Sequence, residues 1–475
     1  MTSPPASLVD RFPSAARLVS VRTQRSLSAA ELRDAVRAEA ATLAALGLPH
    51  GGRVVIAHAD PLDFILSLFA AWQAGLVGVG VNPKLAPLEQ DNVLEATGAF
   101  AWLGDLRTNL PPVPPATDPA SPVPLGPDEP ALILMTSGTT GRPKGIALSQ
   151  AVLHARVTHN LSAIPELQLP TLCVLPVFFG HGLIGNVLTP LLAGSTVHLW
   201  PTPDATELRG FGPYLDANRI GFMSSVPSFW KLALRLATPP ETPLRRVHVG
   251  SAPLSREHWQ DIAAFVGTRN VFNMFGMTET ANWIAGGALD EPGAEAGYVG
   301  KPWGGELAVL VEDGGIAATG RGEVLVRSPS IMLGYWRRPD LDAEAFIEGW
   351  FRTGDIGELD AEGHLTLVGR IKTEINRGGI KVQAEEIDLL LERHPDIAEA
   401  CAFGMPDPIA GELVAAAIMM RPGKLFDPEA IKAWCRGMAR PDAVPSKLFV
   451  LEAIPRNERG KLVRADVRRL VEASA

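Results

Sequence analysis

Residues 132–145 read LILMTSGTTGRPKG, an apolar run followed directly by glycine, serine and threonine and then by Lys144. The apolar run is typical of a buried strand. The glycines let backbone N–H groups turn toward one anion, and the hydroxyl groups add further donors. The loop differs from a Walker A loop, because Gly145 stands where that pattern requires serine or threonine. This stretch therefore predicts a triphosphate site at the end of a buried strand.

Short apolar runs alternate with helical patterns on both sides of this stretch. A helix is predicted from Leu27 to Leu46 with Ser28 as its N-cap, and another from Pro61 to Ala74. Strands are predicted at residues 53–57, 78–81, 99–103, 131–134, 171–175, 195–199, 221–223 and 246–249. This alternation indicates βαβ units and largely parallel sheets. So many strands in roughly the first 290 residues favour two sheets over one.

The pattern changes after Leu307. Residues 307–311, 323–327 and 364–368 read as short strands between turns, as in a small antiparallel barrel. Further on, the sequence predicts a helix at 384–392, strands at 399–403 and 413–419, and a helix from Asp427. We therefore expect an α/β protein: an N-terminal domain, 1–371, of two αβ-layered sheets plus a small β-barrel, and a small α+β C-terminal domain, 372–475. The proline-rich residues 109–130 predict a surface linker.

The composition is that of a globular protein. Of 475 residues, 46% are hydrophobic, and 43 Lys and Arg against 52 Asp and Glu give a net charge of −9. The acidic balance disfavours nucleic-acid binding. Three separated cysteines predict neither a disulfide framework nor a zinc site. With no signal-peptide pattern and no apolar run of about 18 residues, we expect a cytoplasmic protein without a membrane partner.

Five further motifs follow in order along the chain. Residues 273–279 read NMFGMTE, 351–355 FRTGD, 368–372 VGRIK and 454–461 IPRNERGK, and a Gly378-Gly379 pair precedes Lys381 and Glu385. Together with residues 137–145, they resemble the motifs of the adenylate-forming superfamily, which includes acyl- and aryl-CoA synthetases, nonribosomal adenylation domains and luciferases. The resemblance spans nearly the whole chain. It implies a large domain that binds ATP and the acid, followed by a mobile C-terminal domain.

The resemblance also implies roles for individual residues. Phe275 would pack on adenine, Thr278 would contact the α-phosphate, and Glu279 would help to hold Mg²⁺. Lys461 would touch the reacting carboxylate and the α-phosphate, which makes Lys461, Thr278 and Glu279 the candidate catalytic residues; Thr140 is the second candidate at the metal. Asp355 and Arg370 would bind the ribose, Lys372 would be the hinge, and Gly378 and Gly379 would face the thiol channel. The full candidate set for nucleotide and cofactor is Thr136, Ser137, Gly138, Thr139, Thr140, Gly141, Lys144, Gly250, Ser251, Ala252, Asn273, Phe275, Gly276, Asp355, Arg370, Lys372, Gly378 and Gly379.

Residues 175–183, LPVFFGHGL, match the pocket-side segment of many CoA synthetases, with Phe179 at the position of the first of two histidines. The candidate pocket residues are Phe179, His181, Val226, Phe229, Gly250 and Met277. Amino-acid-activating members of the superfamily that this chain resembles usually have an Asp in this region to pair the substrate ammonium. None lies between residues 171 and 201, which argues against an α-amino acid. Large side chains, among them Trp230, favour a small aliphatic or single-ring acid. His181 or Asn282 could satisfy a substrate hydroxyl, or could serve packing and backbone contacts.

These features predict an ATP-dependent ligase that uses ATP, Mg²⁺ and coenzyme A. A small acid, including branched and hydroxylated ones, would form an acyl-AMP and then a thioester. Two alternatives stay open: an enzyme that loads the phosphopantetheine of a carrier protein, and a non-catalytic nucleotide sensor. We expect a monomer or a homodimer.

Overall fold

The computed structural model describes residues 8–104, 123–136, 144–377, 380–407, 411–457 and 460–474, without the side chains of Thr136 and Ser474. Several predicted features lie outside the described residues: most of the proline-rich linker, the loop residues Ser137, Gly138, Thr139, Thr140 and Gly141, and the pair Gly378 and Gly379.

Twelve α-helices occur among the described residues. They are α1 Ala29–Ala44, α2 Pro61–Gln73, α3 Pro87–Thr97, α4 Gln150–Ala163, α5 Thr189–Leu192, α6 Phe211–Ala217, α7 Pro227–Leu236, α8 Arg256–Val266, α9 Pro339–Ala345, α10 Ala384–Glu392, α11 Pro428–Met438 and α12 Arg464–Ser474. The predicted cap of α1 is present: the Ser28 hydroxyl accepts from the Glu31 N–H, and the Glu31 carboxylate accepts from the Ser28 N–H. Capping of this kind holds the first turn, so the sequence located this helix correctly.

Twenty-six strands occur in the same part of the chain. They are β1 Arg17–Ser20, β2 Ser26–Ser28, β3 Arg53–Ala57, β4 Val77–Gly80, β5 Ala101–Gly104, β6 Pro130–Thr136, β7 Lys144–Ser149, β8 Thr171–Cys173, β9 Thr196–Leu199, β10 Phe222–Ser225, β11 Arg246–Gly250, β12 Val271–Met277, β13 Asn282–Ala288, β14 Tyr298–Pro302, β15 Glu306–Leu310, β16 Ile316–Ala317, β17 Gly320–Arg327, β18 Gly334–Tyr335, β19 Phe346–Ile347, β20 Trp350–Leu359, β21 Leu365–Arg370, β22 Glu374–Arg377, β23 Ile380–Gln383, β24 Ile397–Asp407, β25 Gly411–Met420 and β26 Lys447–Val450.

Two sheets form the N-terminal part, which confirms the predicted α/β class. The larger has the order β16-β15-β17-β20-β21-β14-β13-β12-β11-β10-β8-β9-β1-β2, and β12-β11-β10-β8-β9-β1 are parallel neighbours. The other has the order β18-β7-β6-β4-β3-β5, parallel from β6 to β5. The antiparallel strands predicted after Leu307 are joined to the larger sheet through the pairing of β14 with β21. That long-range pairing has no local signal in the sequence.

A third sheet, β23-β22-β25-β24 with β26 on β25, forms the C-terminal part. Its two faces carry separate hydrophobic clusters, one around Ile387 and Ile418 and one around Phe403 and Val467. The division into residues 1–371 and 372–475 stays our proposal, and these separate clusters support it. No helix in the described ranges is long and apolar enough to cross a membrane.

Candidate active site

The predicted phosphate loop is flanked by β6 and β7, which pair antiparallel so that Thr136 lies opposite Lys144. Lys144 is therefore the first residue after the loop, and its Nζ lies 5.2 Å from the centre of the Tyr335 ring. Burial lowers the pKa of Lys144, and the nearby charges of Lys372 and Arg338 lower it further, while Glu279 opposes them. Three cationic side chains thus lie near the loop exit together with the carboxylates of Glu279 and Glu344, and the cations would attract an anionic phosphate chain.

Thr278 and Glu279 lie in a 3-10 turn that directly follows β12. Gly276 precedes the turn at a bulge, and a Cβ there would lie 2.3 Å from the Asn282 carbonyl oxygen, so only glycine fits. Ala281 and Asn282 continue with φ of 54° and 127°, values that L side chains rarely adopt. Such conformations persist where the surrounding contacts impose them, and they often occur at functional sites.

A buried arginine supports this turn from behind. Arg156 on α4 donates to the Ser330 hydroxyl and to the Trp283 carbonyl, and Ser330 in turn donates to the Thr280 carbonyl at 3.2 Å. Burial lowers the pKa of Arg156 to about 9. Through Ser330 and the Trp283 carbonyl, the guanidinium fixes the backbone beside Glu279.

The two residues predicted to bind ribose face each other. Asp355 on β20 lies opposite Arg370 on β21, and the Arg370 Nε donates to Asp355 at 2.5 Å. The charge of Asp355 is the main cause of the raised pKa of Arg370. Asp355 is buried and Arg370 is exposed, so the carboxylate lies deeper in the protein and the guanidinium lies at the surface. The structure also brings Glu279 close enough to affect Arg370 electrostatically.

His181 begins a buried π-helical segment, His181–Leu188. One ring nitrogen lies 2.7 Å from the Ser224 hydroxyl at the end of β10, and the other lies 3.0 Å from the Ser251 hydroxyl after β11. Ser251 has a φ of 70°, which places its hydroxyl at this point. Burial, with a smaller effect from the charge of Lys461, lowers the pKa of His181 to about 3. The imidazole is therefore neutral at physiological pH and positions two hydroxyl groups.

Four of the other pocket candidates are half-buried apolar side chains, Phe179, Val226, Phe229 and Met277. The sequence analysis counted Trp230 among the large side chains of the pocket. That expectation is wrong, because the side chain is fully buried. The indole packs against Phe211 and Phe265 and donates to the Ser225 hydroxyl. It belongs to the core behind the site.

Asn282 was expected either to satisfy a substrate hydroxyl or to serve packing and backbone contacts. The side-chain amide nitrogen of Asn282 donates to the Gly180 carbonyl at 3.0 Å, and its side-chain oxygen Oδ1 accepts from the Trp283 N–H. With 5% of its surface exposed, Asn282 is a backbone partner in this structure, which favours the second of the two expectations.

The remaining N-terminal candidates lie on β11 and β12 or directly after β11. Gly250 ends β11, where a Cβ would lie 2.9 Å from the Met274 carbonyl oxygen, and Ala252 follows half-buried. Asn273 and Phe275 on β12 are 4% and 6% exposed, and the Asn273 amide donates to the Tyr298 carbonyl. Their described contacts lie within the sheet, so nucleotide contacts by both residues stay predictions.

Lys461 comes from the C-terminal part and reaches the same region. The loop before it packs on α7, since a Cβ at Gly460 would lie 2.2 Å from the Ser228 hydroxyl oxygen. The backbone N–H of Lys461 donates to the Asn457 side chain at 3.0 Å. The effect of Lys461 on the pKa of His181 places its charge near the pocket. Lys372, the predicted hinge, is exposed in the turn Ile371–Thr373, and its charge reaches Lys144.

The arrangement suits a metal-bound triphosphate. Glu279 accepts a hydrogen bond from the Tyr335 hydroxyl at 3.2 Å, and its carboxylate lies within electrostatic reach of Lys144 and Arg370. Carboxylate and phosphate oxygens are the ligands that Mg²⁺ prefers, and the neighbouring cations would offset phosphate charge. Glu279 would hold Mg²⁺ here; Thr140, its predicted partner, lies outside the described residues.

Sequence reasoning missed three residues of this site. Tyr335 and Arg156 contact Glu279 or its turn from distant parts of the chain, and Ser224 holds His181. An arginine on the apolar face of α4, between Val152 and Val157, was the one local signal of a buried polar network.

The chain matches the family model of the AMP-binding enzyme over residues 7–336 and that of the AMP-binding enzyme C-terminal domain over residues 386–461. The chain belongs to the AMP-binding enzyme family. An oxalate–CoA ligase of Arabidopsis thaliana is 32% identical and covers 96% of both chains. A sulfoacetate–CoA ligase of Cupriavidus necator is 33% identical over 87% of this chain and 79% of its own length.

Solved structures of AMP-binding enzymes share the fold. The o-succinylbenzoate CoA synthetase of Bacillus subtilis, in complex with its acyl-adenylate intermediate, has a TM-score of 0.85 at 25% identity and covers 98% of this chain and 99% of its own. The amide bond synthetase of Marinactinospora thermotolerans has a TM-score of 0.83 at 27% identity and covers 98% of both chains.

The comparisons confirm the adenylate-forming superfamily and the predicted enzyme class, an AMP-forming acid–thiol ligase. The predicted cofactors, ATP, Mg²⁺ and coenzyme A, are those of ATP-dependent CoA ligases. The individual site residues stay predictions, supported by the contacts described above.

Proposed function

We propose that this AMP-binding enzyme joins a small carboxylic acid to coenzyme A through an acyl-AMP intermediate. The observation that carries the proposal is the meeting of groups from both parts of the chain. The charge of Lys461, from the C-terminal part, acts on His181, while Glu279 and Lys144 of the N-terminal part act on each other. The Asn282 side chain, three residues after Glu279, donates to the Gly180 carbonyl beside His181, which supports one site for both sets of groups.

The chemistry follows from these charges. A carboxylate oxygen of the acid attacks the α-phosphorus of ATP, the bond to the β-phosphate oxygen breaks, and pyrophosphate leaves. The thiol of coenzyme A then attacks the acyl carbonyl carbon, loses its proton, and AMP leaves. Lys461 stabilises the charge that develops between carboxylate and α-phosphate, and Thr278 and Lys144 orient the phosphates. Bound Mg²⁺ would neutralise phosphate charge beside Glu279.

No protein nucleophile is required by this scheme. Burial raises the pKa of Cys173 to about 12 and that of Cys401 to about 12, so neither thiol is a reactive thiolate.

The pocket supports a small acid. Apolar side chains of Phe179, Val226, Phe229 and Met277 would bound a short acyl group, and His181 holds two hydroxyl groups that a polar substituent could reach. Aliphatic acids, branched or hydroxylated ones among them, and single-ring acids fit this description. The two curated relatives described above are named for oxalate and sulfoacetate, which are also small acids.

Coenzyme A is our preferred acceptor. A carrier-protein thiol stays the second candidate, and the similarity to an amide bond synthetase makes an amine a third acceptor to test. The oligomeric state, monomer or homodimer, remains a prediction, as does the cytoplasmic location.

The experiment is a product assay. The purified protein is incubated with MgATP and a panel of small acids, with coenzyme A, a phosphopantetheinylated carrier protein or an amine, and products are identified by mass spectrometry. We expect an acyl-CoA and AMP with at least one acid. Transfer to the carrier protein or amine alone would replace coenzyme A as acceptor. Nucleotide binding with no AMP formed from any acid would favour the sensor.

A further inference from the structure

Tyr335 makes two different contacts in the nucleotide site. Its hydroxyl donates to Glu279 Oε1 at 3.2 Å, and the face of its ring lies 5.2 Å from the Nζ of Lys144. One side chain thus contacts both the candidate metal ligand and the lysine at the exit of the phosphate loop.

The backbone around Tyr335 holds the same two elements together. The Met332 N–H donates to the Glu279 carbonyl at 2.8 Å, and the Trp336 N–H donates to the Gly145 carbonyl at 2.7 Å. Between them, β18 pairs with β7, with Tyr335 opposite Ile146. Residues 332–336 therefore cross from the Glu279 turn to the strand that begins with Lys144.

Asp342 holds the backbone of Tyr335 as well. The Tyr335 N–H donates to the Asp342 carboxylate at 2.7 Å, and Gly334, with a φ of 150°, lies close to the same carboxylate. The side chain is half-buried, and a phenol is protonated at neutral pH, so the hydroxyl is a donor.

We propose that Tyr335 is a positioning residue for MgATP. Its hydroxyl fixes the Glu279 carboxylate for the metal, and its ring fixes the Lys144 ammonium for the phosphates. The proposal rests on the proposed function, because it assumes that Glu279 and Lys144 bind MgATP. A hydrogen bond orients a carboxylate, and an aromatic face attracts an ammonium group, so the two halves of Tyr335 have separable effects.

Two substitutions separate those effects. Tyr335→Phe removes the hydroxyl and keeps the ring, and Tyr335→Leu removes both. The matched control is Tyr298→Phe, because the Tyr298 hydroxyl also donates to a glutamate, Glu291, at 2.7 Å in another part of the protein. The measured quantity is the Kd of α,β-methylene-ATP by titration calorimetry, with Mg²⁺ and with EDTA and without any acid. No turnover is needed for this measurement.

We expect Tyr335→Phe to weaken binding about tenfold in Mg²⁺ and to leave binding in EDTA unchanged, in keeping with the loss of a hydrogen bond to a charged group. Tyr335→Leu should weaken binding under both conditions, and Tyr298→Phe should resemble the wild type. If Tyr335→Leu does not fold, the result with Tyr335→Phe decides.

Three outcomes overturn the proposal. Tyr335→Phe could match Tyr298→Phe in Mg²⁺, which would mean that the hydroxyl has no role at the metal. It could weaken binding equally with Mg²⁺ and with EDTA, which indicates a structural effect alone. The wild type could bind equally under both conditions, so that Glu279 holds no metal. Failure of the ligase proposal is distinguishable, because a wild type that binds MgATP but forms no AMP with any acid leaves the Tyr335 result intact.

Discussion

Lys231→Met should slow adenylation and spare thioester formation. Lys231 lies on α7 of the N-terminal part, and its Nζ is 3.1 Å from Glu392 Oε1 and 3.9 Å from Glu399 Oε1 in the C-terminal part. Arg456 also contacts Glu399, at 3.0 Å. The ion pairs of Lys231 join the two parts of the chain and stabilise the domain orientation in which Lys461 lies near His181, which we propose is the orientation for adenylation.

The expected loss of free energy follows from the burial of Lys231 and its two glutamate partners. The side chains of Lys231, Glu392 and Glu399 are 30%, 23% and 18% exposed. Exposed ion pairs contribute about 0.2–1 kcal/mol, and hydrogen bonds to charged groups about 1.5–3 kcal/mol. We therefore expect a loss of about 1 kcal/mol for this orientation, which is roughly a fivefold shift in its population relative to other orientations of the mobile C-terminal domain.

The assay compares the two half-reactions. Exchange of labelled pyrophosphate into ATP measures adenylation, and release of AMP from supplied acyl-AMP and coenzyme A measures thioester formation. The matched control is Lys424→Met, because Lys424 pairs with Asp396 at 2.7 Å within the C-terminal part. Exchange should fall about fivefold in Lys231→Met alone, and high salt should narrow its difference from the wild type.

The reasoning is refuted if both lysine variants behave alike. Equal losses in the two half-reactions of Lys231→Met would also contradict it, because that result would mean that the ion pair stabilises the whole fold and not one orientation.

Three further predictions concern stability, ribose binding and thiols. Because burial lowers the pKa of His181 from 6.5 to about 3, the unfolded chain binds a proton between these values that the folded protein does not, so stability falls as the pH drops below 6.5. Chemical denaturation at pH 7 and pH 5 should show a loss of about 2 kcal/mol from this group, absent in His181→Gln; an equal loss in the variant would contradict the cause. Asp355→Asn should weaken ATP binding about tenfold and leave 2′,3′-dideoxy-ATP nearly unaffected, and equal weakening of both would remove Asp355 from the ribose site. Cys173, Cys401 and Cys435 are buried with raised pKa values, so alkylation of the native enzyme should not reduce activity, whereas rapid inactivation would reveal a reactive thiol.

Local signals in the sequence located most elements of the fold. The helix predicted at 384–392 coincides with α10, and Asp427 caps α11 through hydrogen bonds to the N–H groups of Glu429 and Ala430. Caps, apolar periodicity and glycine positions depend on neighbours within a few residues, so they can be recognised from the sequence.

Contacts between distant residues could not be recognised in this way. Tyr335 reaches Glu279 across 56 positions, and Lys231 reaches Glu392 across 161. Trp230 was misplaced for the same reason, because its spacing on α7 does not reveal that Phe211 and Phe265 cover it. The catalytic motifs indicated the chemistry, while the residues that orient them depend on tertiary packing.

The most direct test of the account is acid-dependent pyrophosphate exchange by the wild type and by Lys461→Ala. Lys461 is the group that the C-terminal part contributes near His181, so its removal should abolish most of the exchange. The same variant should still convert supplied acyl-AMP and coenzyme A to the thioester at close to the wild-type rate. Normal exchange in Lys461→Ala, or equal loss of both half-reactions, would contradict the proposed site.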